Sequence, residues 1–163
     1  MLQGKKISYL ALFTAFCVVG RLTFHVIPNV QPMTALFLIL VFQESFKESL
    51  LVATLSLLIT NLYLGMGPWI IPQFLAYGGI LTFAYFLKKA RAPFWLQVFY
   101  SFLAGFIYGF IVSFFMQFIF GIKAFWPYYF QGLPYDFLHA LGNFGFYLIL
   151  APIFKRLKKR FSY

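Results

Sequence analysis

Acidic side chains are the scarcest chemistry in this sequence: Asp and Glu number 3 among 163 residues, against 13 Lys and Arg. Charged residues of both signs make up 10% of the chain, and hydrophobic residues make up 63%. A soluble domain has about 25% charged and about 45–50% apolar residues, and a chain of this size cannot bury so much apolar surface. The composition therefore excludes a soluble enzyme and a disordered tail, and it predicts an integral membrane protein.

The usual signs of catalysis and of metal binding are missing as well. The single cysteine, Cys17, lies in an apolar run and has no partner for an intrachain disulfide. Two histidines and so few acids are too few for a metal site, and the sequence contains no HExxH, GxSxG or phosphate-loop motif. The chain is therefore predicted to be non-catalytic, with no cofactor and no bound metal.

Six apolar runs predict one all-α membrane domain of six transmembrane helices, which covers residues 1–163. The runs are Ile7–Phe24, Pro32–Phe46, Lys47–Leu64, Ile70–Leu87, Trp95–Phe120 and Tyr135–Phe154. The second run is weak, because only Pro32–Val41 is strongly apolar. A helix of about 11 residues covers roughly 16 Å, about half of the bilayer core. Both a short tilted span and a re-entrant segment fit this run.

The basic residues predict the orientation of these spans. With six spans, all of the 13 Lys and Arg except Arg21 and Lys123 fall on one side. The positive-inside rule then puts both termini in the cytoplasm. The basic residues flank apolar runs and form no single patch, which argues against nucleic acid as a partner. Proline and glycine mark the loops, and Gly121–Pro134 is predicted to be the longest of them.

Polar side chains of the predicted spans gather near the outer ends. The inner halves hold little that is polar beyond Ser8, Thr14 and Thr82. A channel needs polar groups along its whole path, so this asymmetry predicts a pocket that opens to the outside and is closed below. The predicted substrate-binding residues are Arg21, His25, Asn29, Gln31, Thr34, Asn61, Tyr63, Trp69, Gln73, Tyr77, Trp126, Tyr128, Asp136, His139 and Asn143.

Helical spacing supports this pocket. Asp136, His139 and Asn143 lie at i, i+3 and i+7, so they share one face of the sixth span. Gln73 and Tyr77 share a face of the fourth span in the same way. A pocket rich in aromatic, amide and hydroxyl groups suits a flat ring with a neutral polar rim.

Each of these residues also has a structural explanation. The aromatic members are typical of an interfacial belt. His25 and Lys123 also fit contacts with lipid headgroups, and His139 fits a hydrogen bond between packed helices. Asp136 also fits a cap at the start of the sixth span. Arg21 fits either a side chain that extends to the outer surface or the ion-pair partner of Asp136.

Three segments of the chain carry a family resemblance. Ala11–Ala15 has small residues four apart, Pro28–Ala35 joins an outer loop to a short second helix, and Asn61–Trp69 contains Gly-Met-Gly-Pro-Trp with Gln73 downstream. With these segments and six spans in so short a chain, the sequence resembles the S component of an energy-coupling factor (ECF) transporter. S components are the substrate-binding membrane subunits of prokaryotic ABC-type vitamin importers.

The resemblance implies a mechanism that depends on partners. A vitamin is captured from the outside, and the loaded subunit binds a transmembrane coupling subunit and two ATPases in the prokaryotic plasma membrane. Ala11 and Ala15 would dock the coupling subunit, and the loaded subunit would topple among the membrane lipids to expose its pocket to the cytoplasm. The Gly-Met-Gly-Pro-Trp stretch is most similar to the subgroup assigned to cobalamin.

Other ligands and one other class of function stay open from the sequence. Pantothenate, a pyrimidine or pyridoxine precursor, and a queuosine precursor are the alternative ligands. The alternative function is a self-contained small membrane enzyme or facilitator, which would act without the partner subunits.

Overall fold

The computed structural model describes the backbone of residues 2–160 and the side chains of residues 4–24 and 26–158. In this part of the chain there are six α-helices, one 3-10 turn at Phe24–Val26, and no strand. The helices are α1 (Leu2–Thr23), α2 (Met33–Gln43), α3 (Phe46–Leu64), α4 (Ile70–Lys89), α5 (Phe94–Phe120) and α6 (Phe125–Arg160). All except α2 are long and apolar enough to cross a membrane. The prediction of an all-α bundle with a short second helix is confirmed.

The short helix α2 lies at the centre of the bundle. Its residues from Met33 to Val41 are each at most 1% exposed, and α2 contacts all five other helices. A helix that is apolar on every side is stable only when it is buried on every side. The weak second run therefore forms a core helix enclosed by the five longer ones.

Local sequence signals set the helix ends. Ser45 caps α3, because its hydroxyl oxygen accepts a hydrogen bond from the Glu48 backbone N–H at 3.2 Å. Gly65, with φ of 111°, ends α3, and Gly121, with φ of 65°, ends α5. Both glycines have a positive φ, which residues with a Cβ adopt at a cost, and Gly121 lies in the left-handed helical region. The resulting short turns make consecutive helices antiparallel neighbours.

One end of the bundle is held by charged side chains from four helices and the turn after α2, and we call it the basic end. Lys6 of α1 forms an ion pair with Glu48 of α3, and Lys158 of α6 pairs with Glu44 at 2.9 Å. Lys88 of α4 donates to the Glu44 carbonyl oxygen at 2.6 Å. The start of α1 and the last turns of α6 therefore lie at the same end, as an even number of passes requires. That this end faces the cytoplasm stays a prediction.

The last helix corrects one prediction. Gly121–Pro134 is mostly helical, since α6 begins at Phe125 and includes both Pro134 and Pro152. Neighbouring helices make proline tolerable in a membrane helix, and here the Phe110 ring packs against Tyr129 at a centroid distance of 5.4 Å. Asp136 consequently lies about 16 Å along α6 at 1.5 Å per residue, so the expectation that it caps the helix is wrong.

Candidate binding site at the polar end

The opposite end of the bundle, which we call the polar end, contains a cluster of four side chains, three of them buried and hydrogen-bonded and one half-buried. Thr34 is its centre: its Oγ1 lies 2.9 Å from His139 Nε2 and 3.2 Å from the Tyr77 hydroxyl. The Tyr108 ring packs against both Tyr77 and His139, each at a centroid distance of 5.0 Å. We call these four residues the polar cluster. It joins α2, α4, α5 and α6 beneath the surface of the bundle.

Two further pairs connect α1, α3 and α4 at this end. Asn61 donates from Nδ2 to Gln73 Oε1 at 3.0 Å, and Asn61 is 2% exposed. Arg21 donates from Nη1 to Thr60 Oγ1 at 2.8 Å. The ion pair with Asp136, one of the two interpretations of Arg21, is not formed, and the half-buried guanidinium instead donates to a hydroxyl.

Small residues bring α5 and α6 into close contact beside the polar cluster. A side chain on Gly105 would collide with the Ala140 backbone, and one on Gly109 would collide with the Asp136 carboxylate. Glycines four residues apart allow membrane helices to approach in this way. The contact buries Asp136, which is 6% exposed.

Two side chains on this face of α6 have polar atoms without a hydrogen-bond partner among the described residues. They are Oδ2 of Asp136 and both Oδ1 and Nδ2 of Asn143, and Asn143 is fully buried. A buried polar group without a partner costs about 1–3 kcal/mol. Such groups inside a membrane protein are candidates for a functional site. Asn143 and Asp136 therefore hold a donor and acceptors that no described residue satisfies.

A cavity of about 390 Å³ opens nearby, between the ends of α1 and α3 and the segment that joins α1 to α2. Its lining residues are Arg21, Phe24, Ile27, Pro28, Asn29, Val30, Gln31 and Leu64. The joining segment is anchored to α6, because Asn29 Nδ2 donates to the Tyr135 carbonyl oxygen at 3.3 Å. The segment also lies against Gly142, the neighbour of Asn143. The volume lies near the lower limit of about 300 Å³ for pockets that hold small molecules.

The structure separates the predicted binding residues into three groups. The first group is buried or half-buried at the polar end and consists of Arg21, Thr34, Asn61, Gln73, Tyr77, Asp136, His139 and Asn143. The second group, Asn29 and Gln31, lines the cavity together with Arg21. The remaining aromatic residues lie at the surface or near it: Tyr63, Trp69 and Trp126 are exposed, and Tyr128 is half-buried. The position of the His25 side chain lies outside the described residues.

Sequence reasoning missed Tyr108 and Thr60 as members of the site. Tyr108 lies near the middle of α5, away from the outer ends at which polar residues were sought. Thr60 lies beside Asn61 near the outer end of α3 and was left out of the predicted binding set. The glycines at 105 and 109 carried a signal for Tyr108, because small residues four apart indicate a close helix contact.

The inner half of the bundle is more polar than the sequence analysis expected. Ser49 donates to the Phe37 carbonyl oxygen at 2.7 Å, and Tyr147 donates to Gln97 Oε1 at 2.7 Å. Since these groups bond within the protein, they offer nothing to a ligand, unlike the unpartnered atoms of Asp136 and Asn143.

Comparison with known proteins finds no family model, no curated protein and no solved structure that matches this chain. In the part of the chain that the structure describes, no three His, Cys, Asp or Glu side chains lie close enough together to hold a metal ion.

Proposed function

We propose that this chain is the substrate-binding subunit, or S component, of an ECF-type vitamin importer in a prokaryotic plasma membrane. The observation that carries the proposal is the pair of buried, unpartnered side chains, Asp136 and Asn143, at the end of the bundle that also holds a cavity. The segment that lines this cavity contacts α6 at Tyr135 and Gly142, the sequence neighbours of the two side chains. Such an arrangement suits the capture of a solute from one side. At the other end, the ion pair of Lys6 joins α1 to α3, and that of Lys158 joins α6 to the turn after α2.

The distribution of acids supports a binding role over a self-driven pump. Of the 3 acidic residues, Glu44 and Glu48 are engaged at the basic end, so Asp136 alone remains near the cavity. A pump driven by ions or protons usually needs a relay of ionisable groups through the membrane. The energy for uptake would therefore come from the two ATPases of the partner module.

The exposed face of α1 supports the docking of a coupling subunit. Ala11 and Ala15 are both exposed, one turn apart on the outside of the bundle. Small residues on a membrane-facing surface allow a partner helix to approach closely. The exchange of both for leucine, Ala11→Leu with Ala15→Leu, should block assembly with the coupling subunit and leave ligand binding intact.

The chemistry of the polar end suits a ligand with a flat ring and neutral hydrogen-bonding groups. Asn143 would supply one donor and one acceptor group, Asp136 an acceptor, and the Tyr77 and Tyr108 rings apolar surface. None of the four lines the cavity, so a ligand would reach them by displacing the segment between α1 and α2. Pantothenate, a pyrimidine, pyridoxine or a queuosine precursor is small enough for a cavity of about 390 Å³. Cobalamin, the ligand that the sequence favours, would require the segment between α1 and α2 to move outward.

The test is a titration of the purified chain in lipid nanodiscs. Cobalamin, pantothenate, folate, riboflavin, thiamine, pyridoxine and queuine would each be added, and binding would be measured by calorimetry. The proposal predicts tight, saturable binding of one compound by the chain without its partners. No binding by protein that unfolds cooperatively on heating would contradict the proposal, and flux or turnover by the isolated chain would favour a facilitator or an enzyme.

A further inference from the structure

An apolar groove of about 390 Å³ runs between α1 and α6 at the basic end, far from the cavity of the polar end. The backbones of α1 and α6 do not approach closely, and the two helices meet through aromatic rings. The centroid of the Phe154 ring lies 4.8 Å from the centroid of the Phe13 ring and 6.3 Å from that of the Phe16 ring. The groove is lined by Tyr9, Leu12, Phe13, Phe16, Glu44, Phe154, Leu157 and Lys158.

The end of the bundle that holds the groove is rich in basic residues. Lys158 lines it and pairs with Glu44 at 2.9 Å. Lys5, Lys155 and Arg156 are exposed at the same end of the bundle, and none of them forms an ion pair within the described residues. The groove therefore combines an apolar channel with an excess of positive charge at the level of the lipid headgroups.

We propose that this groove is a binding site for an anionic phospholipid, with an acyl chain between α1 and α6 and the phosphate group near Lys158. The groove extends from Tyr9 to Phe16, about 10 Å along α1 at 1.5 Å per residue. The lining is almost entirely apolar, with Glu44 and Lys158 as its charged members, which suits an acyl chain that has its charged headgroup at the basic end.

Charge makes the site selective for anionic over zwitterionic lipids. Basic residues near a membrane surface each contribute about 1 kcal/mol to the attraction of anionic lipid, which corresponds to about five-fold in affinity. Glu44 opposes this attraction, because its carboxylate is ion-paired with Lys158 and is negatively charged like the lipid phosphate. The lipid phosphate would compete with Glu44 for the Lys158 ammonium group. The site uses residues at the basic end only, so it is independent of the vitamin-binding proposal.

The experiment measures which lipids stay bound after extraction from vesicles. The full chain would be reconstituted into vesicles of equal parts phosphatidylglycerol and phosphatidylcholine with the same acyl chains. It would then be extracted in mild detergent, and native mass spectrometry would count the retained lipids. The expected result is an approximately five-fold preference for phosphatidylglycerol. Equal retention of the two lipids would overturn the proposal.

Charge variants test the role of Lys158. Lys158→Gln should reduce the preference for phosphatidylglycerol, whereas Glu44→Gln should increase it by freeing the ammonium group. Lys89→Gln is the matched control, since Lys89 lies at the same end over the Tyr85 ring and away from the groove. A loss of preference in Lys89→Gln equal to that in Lys158→Gln would mean diffuse attraction and would overturn the proposed site.

A groove-filling variant tests the acyl-chain site without a change of charge. Leu12 is 71% exposed at the edge of the groove, so Leu12→Trp should lower the retention of phosphatidylglycerol while the protein stays folded. Leu75→Trp, at an exposed position on α4, is the control and should leave retention unchanged. Unchanged retention in Leu12→Trp would contradict the assignment of the groove.

Discussion

The Asp136 carboxylate occupies the space that a side chain on Gly109 would fill. One turn deeper, the Ala140 backbone lies against Gly105 in the same way. The spacing of the two glycines on α5 therefore sets how closely α6 approaches. It also determines where an acidic group with an unpartnered oxygen is held inside the bundle.

Gly109→Ala should destabilise the protein and disturb the site. The added methyl group collides with the carboxylate, and overpacking of a tight contact typically costs about 1–3 kcal/mol. Thermal unfolding in detergent should show a lower midpoint than for the wild type. Gly78→Ala is the control, because a side chain there meets nothing within 4 Å, so it should be neutral or stabilising. Equal midpoints for the two variants would contradict the close contact.

Asn143→Leu should raise the unfolding temperature of the ligand-free protein. The substitution keeps the side-chain size and removes buried amide atoms that have no partner among the described residues, which relieves a cost of about 1–3 kcal/mol. Binding of whichever vitamin the titration identifies should be lost at the same time. That trade of stability against binding is typical of a functional site.

Asn61→Leu is the contrasting variant for that experiment. Its amide is bonded to Gln73 and to the Leu57 carbonyl oxygen, so the substitution leaves the Gln73 oxygen unpaired and should lower the unfolding temperature. If Asn143→Leu destabilised the protein as much as Asn61→Leu, Asn143 would have a structural partner and would not be a free ligand-binding group.

Thr34→Val should weaken the polar cluster. Valine matches the shape of threonine but removes the hydroxyl that bonds to both His139 and Tyr77. The loss should cost about 1–3 kcal/mol of unfolding free energy, because two buried groups lose a partner. Thr82→Val is the control, since Thr82 is exposed and bonds to Gly78 of its own helix. Thermal unfolding would give the midpoint of each variant. A similarly small decrease in the midpoint for Thr34→Val and Thr82→Val would show that the polar cluster adds little stability.

The orientation in the membrane can be tested by cysteine labelling. Cys17 is fully buried, so Cys17→Ala should give a folded background without a reactive thiol. Gln131→Cys at the polar end should react with a membrane-impermeant maleimide on intact cells. Arg91→Cys, just after α4 at the basic end of the bundle, should react only after permeabilisation. The reverse pattern would place the polar end in the cytoplasm and contradict the positive-inside assignment.

Sequence patterns predicted the helices well because apolar length and Gly or Pro breaks act locally. The short second helix was predicted from Pro32–Val41 and is observed at Met33–Gln43. The predicted start of α6 is wrong, since the sequence indicates a loop at Pro134 and the helix begins at Phe125. Aromatic contacts such as Phe110 with Phe125, at 5.8 Å, support a helix there instead, and they depend on the tertiary structure.

The composition of the candidate site was only partly predictable for the same reason. Polarity and helical spacing identified Asp136, His139 and Asn143 on one face of α6. Which partner each residue meets depends on the rotation and depth of neighbouring helices, so the contact of Arg21 with Thr60 was not foreseen. The place of Tyr108 between α4 and α6 was not foreseen either.

The enclosed position of α2 has a consequence for how the protein is made. About 11 residues reach only roughly 16 Å, so α2 cannot cross the bilayer core of about 30 Å on its own. Its neighbours include α4, α5 and α6, which leave the ribosome after it. In the nascent chain, α2 therefore remains only partly covered by its neighbouring helices until synthesis is nearly complete. A chain that stops before α6 would leave α2 incompletely covered, which makes it a natural substrate for membrane quality-control proteases.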